Sequence, residues 1–579
     1  MEIKKPNFAA CLRIIALCLF SIIILAGIII SKQVYDYDIW FHLTYGQHFV
    51  LNHTWSIDHS VFSWTATKPW AYVTWIGSSF IYIVYLLFSF QGVFAIPPIV
   101  FVCTLLTYVF FLRSIAASVN LTALSLFFLI APFFYTPVVK PAIFSILLFS
   151  ICLTIYFASR DSNKRWYRWY PLVFFIWGNT HGGFIFGLFF LCLALACDCL
   201  TAFAARSSKN FDKKYFLGFS TSLFLSLIAV SINPYGFDYL LGIARDLTFS
   251  DSVNPSKHIY EYMNLWYTLD PMTDIPILID VSWSVICLFV LFLLLNLILL
   301  KKRYHVDIPL IVSLSLFFIF AMFYVRLVQY FAIVLLFSTA YLIQRATAFL
   351  PPKKTSFVIV GLMLYFCTWA GYTYAIFSAP TISFRPEVEM IYPVRASKFI
   401  DEHKLPPQLI SNYTLGGYIM WANYPKYKVF ADPRYWPYHK DVLEDCFSLE
   451  SSKTEAEVKT ILDKYPEAQT IFLQLEFLKP ITVLANMDAW RLVYFDHAAV
   501  IFVRSSSSSS AIRPDFNAMR FINIHSSRVF LQLFQLYWSL KDYENAGLIR
   551  KLYDSNVSKS QPWRNNDIKF MDVRLGRRQ

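Results

Sequence analysis

Charge is scarce in this chain. Asp, Glu, Lys and Arg make up 15% of the 579 residues, against 57% hydrophobic ones. Soluble domains carry about a quarter charged residues, so a soluble protein of this size is excluded. The GxGxxG, Walker, HExxH and CxxC patterns are also missing. Chemistry resting on a phosphate-cradling glycine loop or on those metal spacings therefore has no support. Of the ten cysteines, only Cys446 falls outside apolar surroundings, so no disulfide framework is implied. The first apolar run lacks a small-x-small cleavage pattern and reads as an uncleaved span with its N-terminus inside. No internal repeat is visible.

What is abundant is long apolar runs, near 11–30, 71–90, 94–112, 121–136, 142–158, 169–181, 183–202, 215–231, 279–300, 307–324, 327–344 and 355–377. Runs of this length indicate membrane spans. The net charge of +13 does not point to nucleic acid, because the basic clusters lie between apolar runs, as in cytoplasmic loops. Those clusters, at Arg113, Arg160–Arg168, Arg206–Lys214, Lys301–Arg303 and Arg345–Lys354, share one side only if 71–90 makes no net crossing. That run is then interfacial or re-entrant. The expectation is an α-helical polytopic membrane protein of about eleven spans, occupying 1–378, with a first outer loop at 31–93. An outer soluble α/β domain follows at 379–504, with strands at QLIS, YKVFA, TIFLQ, RLVYFD and AVIFVR. A Ser-rich linker at 505–512 leads into a short helical tail at 513–579, expected as an amphipathic helix pair.

The first outer loop is the densest in unusual residues. It holds Asp36, Asp38 and His42, with five tryptophans between Trp40 and Trp75. Tryptophan suits a lipid–water boundary, whereas paired acids there are harder to explain as packing. In an extended segment Asp36 and Asp38 orient alike. They are candidate catalytic bases and, with His42, candidate ligands for Mg²⁺ or Mn²⁺; the bland readings are loop acids and a hydrogen-bonded loop histidine. His48, His53 and His59 have no informative spacing. Charge parity places Lys140, Asn179, His181, Asn233 and Arg326 on the same outer side. Ionisable groups at the edges of apolar runs are costly unless they face a wet cavity or each other. Lys140 and Arg326 suit a phosphate clamp, or simple snorkelling. Asn179 and His181, in an NTHGG break between two apolar runs, are substrate-binding candidates or glue between helices. NPYG at 233–236 reads as a turn.

YDYDIWFHLTYG, DHSVFSWTATKPW, KPAIFS, WGNTHGGF, NPYG and NYTLGGYIMWANYPKYKVFADPRYW together resemble a group of bacterial multi-span proteins. That group is similar to the C-type membrane glycosyltransferases, which use polyprenyl-phosphate-linked sugars. The resemblance covers most of 8–504. It departs at Lys140, where Arg is usual, and at Val73 and Thr74, where His-Glu is usual. It implies an inner-membrane enzyme that binds a lipid-linked donor among membrane lipids. It also implies that Asp36 or Asp38 orients or deprotonates the acceptor. Two competing functions are a transporter or flippase of lipid-linked glycans, for which repeats and mid-span polar breaks are the expected marks, and a non-catalytic assembly protein.

Overall fold

The computed structural model describes residues 37–68, 73–117, 139–161, 165–204, 213–248, 289–290, 292–294, 296–297, 307–347, 392–558 and 564–576. Asp36, the runs at 11–30, 121–136 and 355–377, and the loop acids Glu261, Asp270 and Asp274 lie outside the described residues.

Among the described residues the first helix is α1, Asp38–Leu51. Tyr37 before it already has helical backbone angles. Asp38 therefore stands in the first turn of a helix, where the dipole favours an acid, and not in the extended segment expected. Helix α2, Trp75–Ser114, joins the runs 71–90 and 94–112, with a break at Ser89 (φ 54°, ψ −157°). The piece before the break is about 20 Å long at 1.5 Å per residue, short of a hydrocarbon core of about 30 Å. Phe80, Ile83, Leu86, Leu87 and Phe88 on it are exposed.

The helical bundle continues with α3 (Ala142–Asp161), α4 (Tyr170–Gly178), α5 (Phe184–Ala204) and α6 (Lys213–Val230). It ends with α7 (Asp238–Thr248), α8 (Ile308–Phe323) and α9 (Val328–Thr347). Among the described residues, three helical stretches are long and apolar enough to cross a bilayer: Trp75–Ser114, Ala142–Arg160 and Val325–Arg345.

A polar cluster shows which helix ends lie together. Arg160, late in α3, bonds Asp307, just before α8, at 3.0 and 2.9 Å. Asp198 in α5 lies 4.0 Å from Arg160, and Arg345 in α9 lies 3.9 Å from Asp307. These four helices thus share one polar end. Their other ends carry Lys140, His181 and Arg326, about 30 Å away for a helix of this length.

The later part of the chain packs at that second end. Helix α10 (Val394–Glu402) leads to β1 (Leu409–Ser411), α11 (Tyr413–Asn423), α12 (Lys440–Ser451) and α13 (Glu455–Leu462). Then come β2 (Thr470–Gln474), α14 (Leu478–Ala485), β3 (Trp490–Phe495) and β4 (Ala499–Arg504). The sheet order is β1-β2-β4-β3. β1 and β2 are parallel, as a helical crossover requires, and the other pairs are antiparallel. YKVFA is not a sheet strand. It makes single bridges, Val429 to Ser63 in the stretch after α1 and Lys428 to Gln408 just before β1. The serine run bonds to the sheet domain through Ser505. The tail forms three helices, α15 (Ser527–Ser539), α16 (Tyr543–Asn556) and α17 (Arg564–Gly576), where the sequence suggested a pair. Tyr537 packs on Phe495 of β3.

Helix α1 is the junction of bundle and sheet domain. Phe41, Tyr45 and Phe49 share a core with Leu409, Ile419, Phe472 and Ile501. Trp40 lies edge-on to Phe90, Tyr392 and Tyr418. Gly46 lets α1 touch α2: a Cβ there would collide with the Ser78 carbonyl and Tyr82. Gly417 brings α11 against the Tyr37 carbonyl in the same way.

Candidate active site

Where α1, α2, α3 and the α4–α5 turn meet, the Asp38 carboxylate accepts from Lys140 Nζ at 3.2 Å. The side chains are 30% and 10% exposed respectively, so the pair is reachable yet mostly withdrawn from water. Asp38 begins α1, and Lys140 stands two residues before α3. The seating of α1 on α2 at Gly46, and of α2 on Pro141 at Gly77, brings the two together.

His42, one turn after Asp38, is buried. Its Nδ1 lies 3.1 Å from Ser78 Oγ, and that hydroxyl donates to Thr74 Oγ1 at 3.1 Å. With the Ser78 proton so used, His42 Nδ1–H is the donor and Nε2 keeps its lone pair. Burial, and then the positive field of Lys140, hold His42 well below the usual histidine pKa. It is neutral at physiological pH.

His181 has the complementary tautomer. Its Nδ1 accepts from Gly183 N–H at 3.1 Å and faces Ser145 Oγ at 2.8 Å. Trp177 Nε1–H donates to that same Oγ at 2.8 Å. Ser145 must then give its own proton to His181, which places the histidine proton on Nε2. The NTHGG break is thus a shaped hairpin turn between α4 and α5.

Asn179 is built into the frame. Its amide nitrogen donates to the carbonyls of Phe175 and Ile232 at 2.9 and 3.0 Å. Its oxygen accepts from Trp75 Nε1 at 2.7 Å, and its carbonyl accepts from Ile76 N–H. It ties α2, α4 and the NPYG turn together. That turn is real: Asn233 Oδ1 accepts from Tyr235 N–H at 2.8 Å, and Gly236 has φ +59°.

Arg326 lies in the one-turn helix Val325–Leu327 between α8 and α9. Tyr330, one turn later, stacks on Phe186 at 4.5 Å. Its hydroxyl stands over Gly183, where an added Cβ would also meet Ser145 and His181. The turn carrying Arg326 therefore adjoins the hairpin. The structure brings together Asp38, His42, Lys140 and His181, and sets the Arg326 turn beside them.

No protein-family model matches the sequence, and no curated protein matches it. Its fold does match solved structures. Archaeal oligosaccharyltransferase AglB from Archaeoglobus fulgidus, in complex with an inhibitory peptide and a dolichol-phosphate, aligns with a TM-score of 0.59 at 13% identity, over 97% of this chain and 86% of that one. An apo oligosaccharyltransferase of Archaeoglobus fulgidus aligns with a TM-score of 0.57 at 12% identity, over 89% and 76%. ArnT from Cupriavidus metallidurans in the apo state gives 0.49 at 12% identity, over 84% and 97%. The fold is that of the C-type glycosyltransferases.

The metal expectation is not met by the described residues. No three His, Cys, Asp or Glu side chains come together among them. Asp38 engages Lys140, and His42 engages Ser78. Asp36 lies outside the described residues.

Reading the sequence missed a second polar cluster behind α1. Arg434 is bidentate to Asp432 at 2.7 and 2.7 Å, with side chains 1% and 0% exposed. Arg434 also reaches Tyr45 Oη and the His59 carbonyl, each at 3.4 Å. His59 bonds Tyr45 Oη at 2.9 Å and Tyr235 Oη at 3.2 Å. The Asp432–Arg434 pair of the ADPRYW stretch is local in sequence and buried. Ser145 had a signal, as the last residue of KPAIFS. His59 had none.

Proposed function

We propose that the protein transfers a sugar from a polyprenyl-phosphate-linked donor to an acceptor at the outer face of a bacterial inner membrane. In this reading the chain crosses the membrane eleven times, with its N-terminus inside and its sheet domain outside. The observation that carries it is the half-withdrawn Asp38–Lys140 pair at the end of the bundle that meets the sheet domain. Support comes from the C-type fold and from the dolichol-phosphate in the AglB complex.

The acceptor hydroxyl attacks the anomeric carbon, forming the new C–O bond. The bond from that carbon to the phosphate oxygen breaks, and its electron pair leaves with polyprenyl phosphate. Asp38, or Asp36, takes the hydroxyl proton. Lys140 and Arg326 hold the phosphate and stabilise its growing charge. Lys140 thus exchanges a carboxylate for a phosphate when the donor arrives. His181, with its proton on Nε2, donates to donor or acceptor, and Asn179 holds the frame in place.

The test is bond cleavage. Purified protein in nanodiscs is given an undecaprenyl-phosphate-linked sugar, and free undecaprenyl phosphate is measured. Acceptor-dependent release supports the proposal, with the donor KM raised in Lys140→Gln. Movement of intact donor between leaflets, without release, would establish the flippase instead.

A further inference from the structure

A shallow cleft lies beside the site, between α1, the stretch after it, and the NPYG turn. Tyr45, Phe49, Trp55, Thr74, Trp75 and Tyr235 line it, and no charged side chain does. It has room inside for about one water, so a ligand lies across its mouth. Trp55 stands at that mouth, 44% exposed. It sits edge-on to Trp75, with ring centres 6.1 Å apart.

The walls are fixed in advance. Asn179 holds the Trp75 indole N–H, and His59 ties the hydroxyls of Tyr45 and Tyr235. Thr74 is linked through Ser78 to His42, which feels the charge of Lys140. The cleft is therefore linked by bonded groups to His42, which stands one turn after Asp38 on α1.

The lining dictates the ligand. An uncharged wall gives nothing to a phosphate or an acidic sugar, which need cations or backbone donors. Aromatic faces suit a molecule that lays one apolar face on them and keeps its polar edge in water. A pyranose ring is such a molecule. We propose that this cleft is the acceptor subsite, taking a neutral sugar ring with its C–H face on Trp55. The inference rests on the transferase reading, because the acceptor role presupposes transfer.

The test reads binding without turnover. Full-length protein in nanodiscs is exposed in turn to methyl β-glucoside, methyl α-mannoside and methyl α-galactoside, and saturation transfer to the sugar protons is recorded by NMR. Farnesol serves as an apolar counter-probe. At least one glycoside is expected to respond. That response should fall about tenfold in Trp55→Ala, the scale of one lost aromatic contact, and should survive in Trp55→Phe. No glycoside response, an equal response in Trp55→Ala, or a response from farnesol alone would overturn the proposal. A glycoside response that needs Trp55, without any donor cleavage, would keep the sugar cleft and remove the transferase. Transfer that needs Asp38 while Trp55→Ala leaves acceptor KM unchanged would do the reverse.

Discussion

Arg434→Leu is expected to loosen the seat of α1 without touching the candidate site. The substitution leaves the Asp432 carboxylate at 0% side-chain exposure with its cation gone. Only Tyr438 Oη and the backbone N–H of residue 434 remain to it. Removing one partner of a buried pair costs about 3–5 kcal/mol, whereas an exposed pair is worth about 0–1 kcal/mol. The contacts to Tyr45 and the His59 carbonyl at 3.4 Å disappear as well. These contacts join the sheet domain to the loop of α1. Hydrogen exchange should therefore speed up at 41–49 and 428–438 together, by about two to four decades at about 1.4 kcal/mol per decade. Denaturant unfolding in detergent reads the total. The double variant Asp432→Leu/Arg434→Leu removes both charges and should recover most of the loss. A loss below about 1 kcal/mol in the single variant, or a double variant as unstable as the single, would refute the reasoning.

Glu450 is half-buried and accepts from Tyr413 N–H at 2.8 Å, at the start of α11. Burial pushes its pKa up to about 7. The folded state thus holds a proton that the unfolded chain releases above about 4.3. The resulting stability is fully present below that value and is lost as pH rises through 7, by up to about 3 kcal/mol. Unfolding midpoints at pH 5 and pH 8 should differ accordingly, and Glu450→Gln should remove the difference; an unchanged pH dependence in that variant contradicts the assignment. Gly46→Ala places a methyl against the Ser78 carbonyl and Tyr82 and should cost about 1–3 kcal/mol, measured as a lowered unfolding midpoint; a neutral effect would mean α1 does not seat there. Impermeant thiol reagents should label a cysteine at Ser451 and not one at Ser162 in a background free of accessible thiols, and the reverse pattern would put the site on the inner side.

Much of the bundle was legible in the sequence because membrane constraints act locally. Apolar runs and basic clusters placed Lys140, His181 and Arg326 at one end, and Arg160 and Arg345 do share the other. The tight NTHGG break was visible as a short polar interruption between two apolar runs. Long-range pairing was not legible. Arg434 and Tyr45 are 389 residues apart, so burial of the ADPRYW pair has no local signature. YKVFA reads as a strand, yet its neighbours are Ser63 and Gln408. Alternation of Asp36 and Asp38 suggested extended backbone, but α1 begins at Asp38. Its apolar positions serve two cores at once, which blurs the helical period.

The most direct test of the central claim is the turnover of Asp38→Asn. Asparagine preserves the size of the side chain and an acceptor for Lys140 but cannot take a proton. Matched amounts of folded wild type, Asp38→Asn and Asp36→Asn would be compared for release of undecaprenyl phosphate from a saturating lipid-linked donor. The account predicts that one of the two variants lowers kcat by about 10²–10⁴-fold with the donor KM little changed. Undiminished kcat in both variants would contradict it.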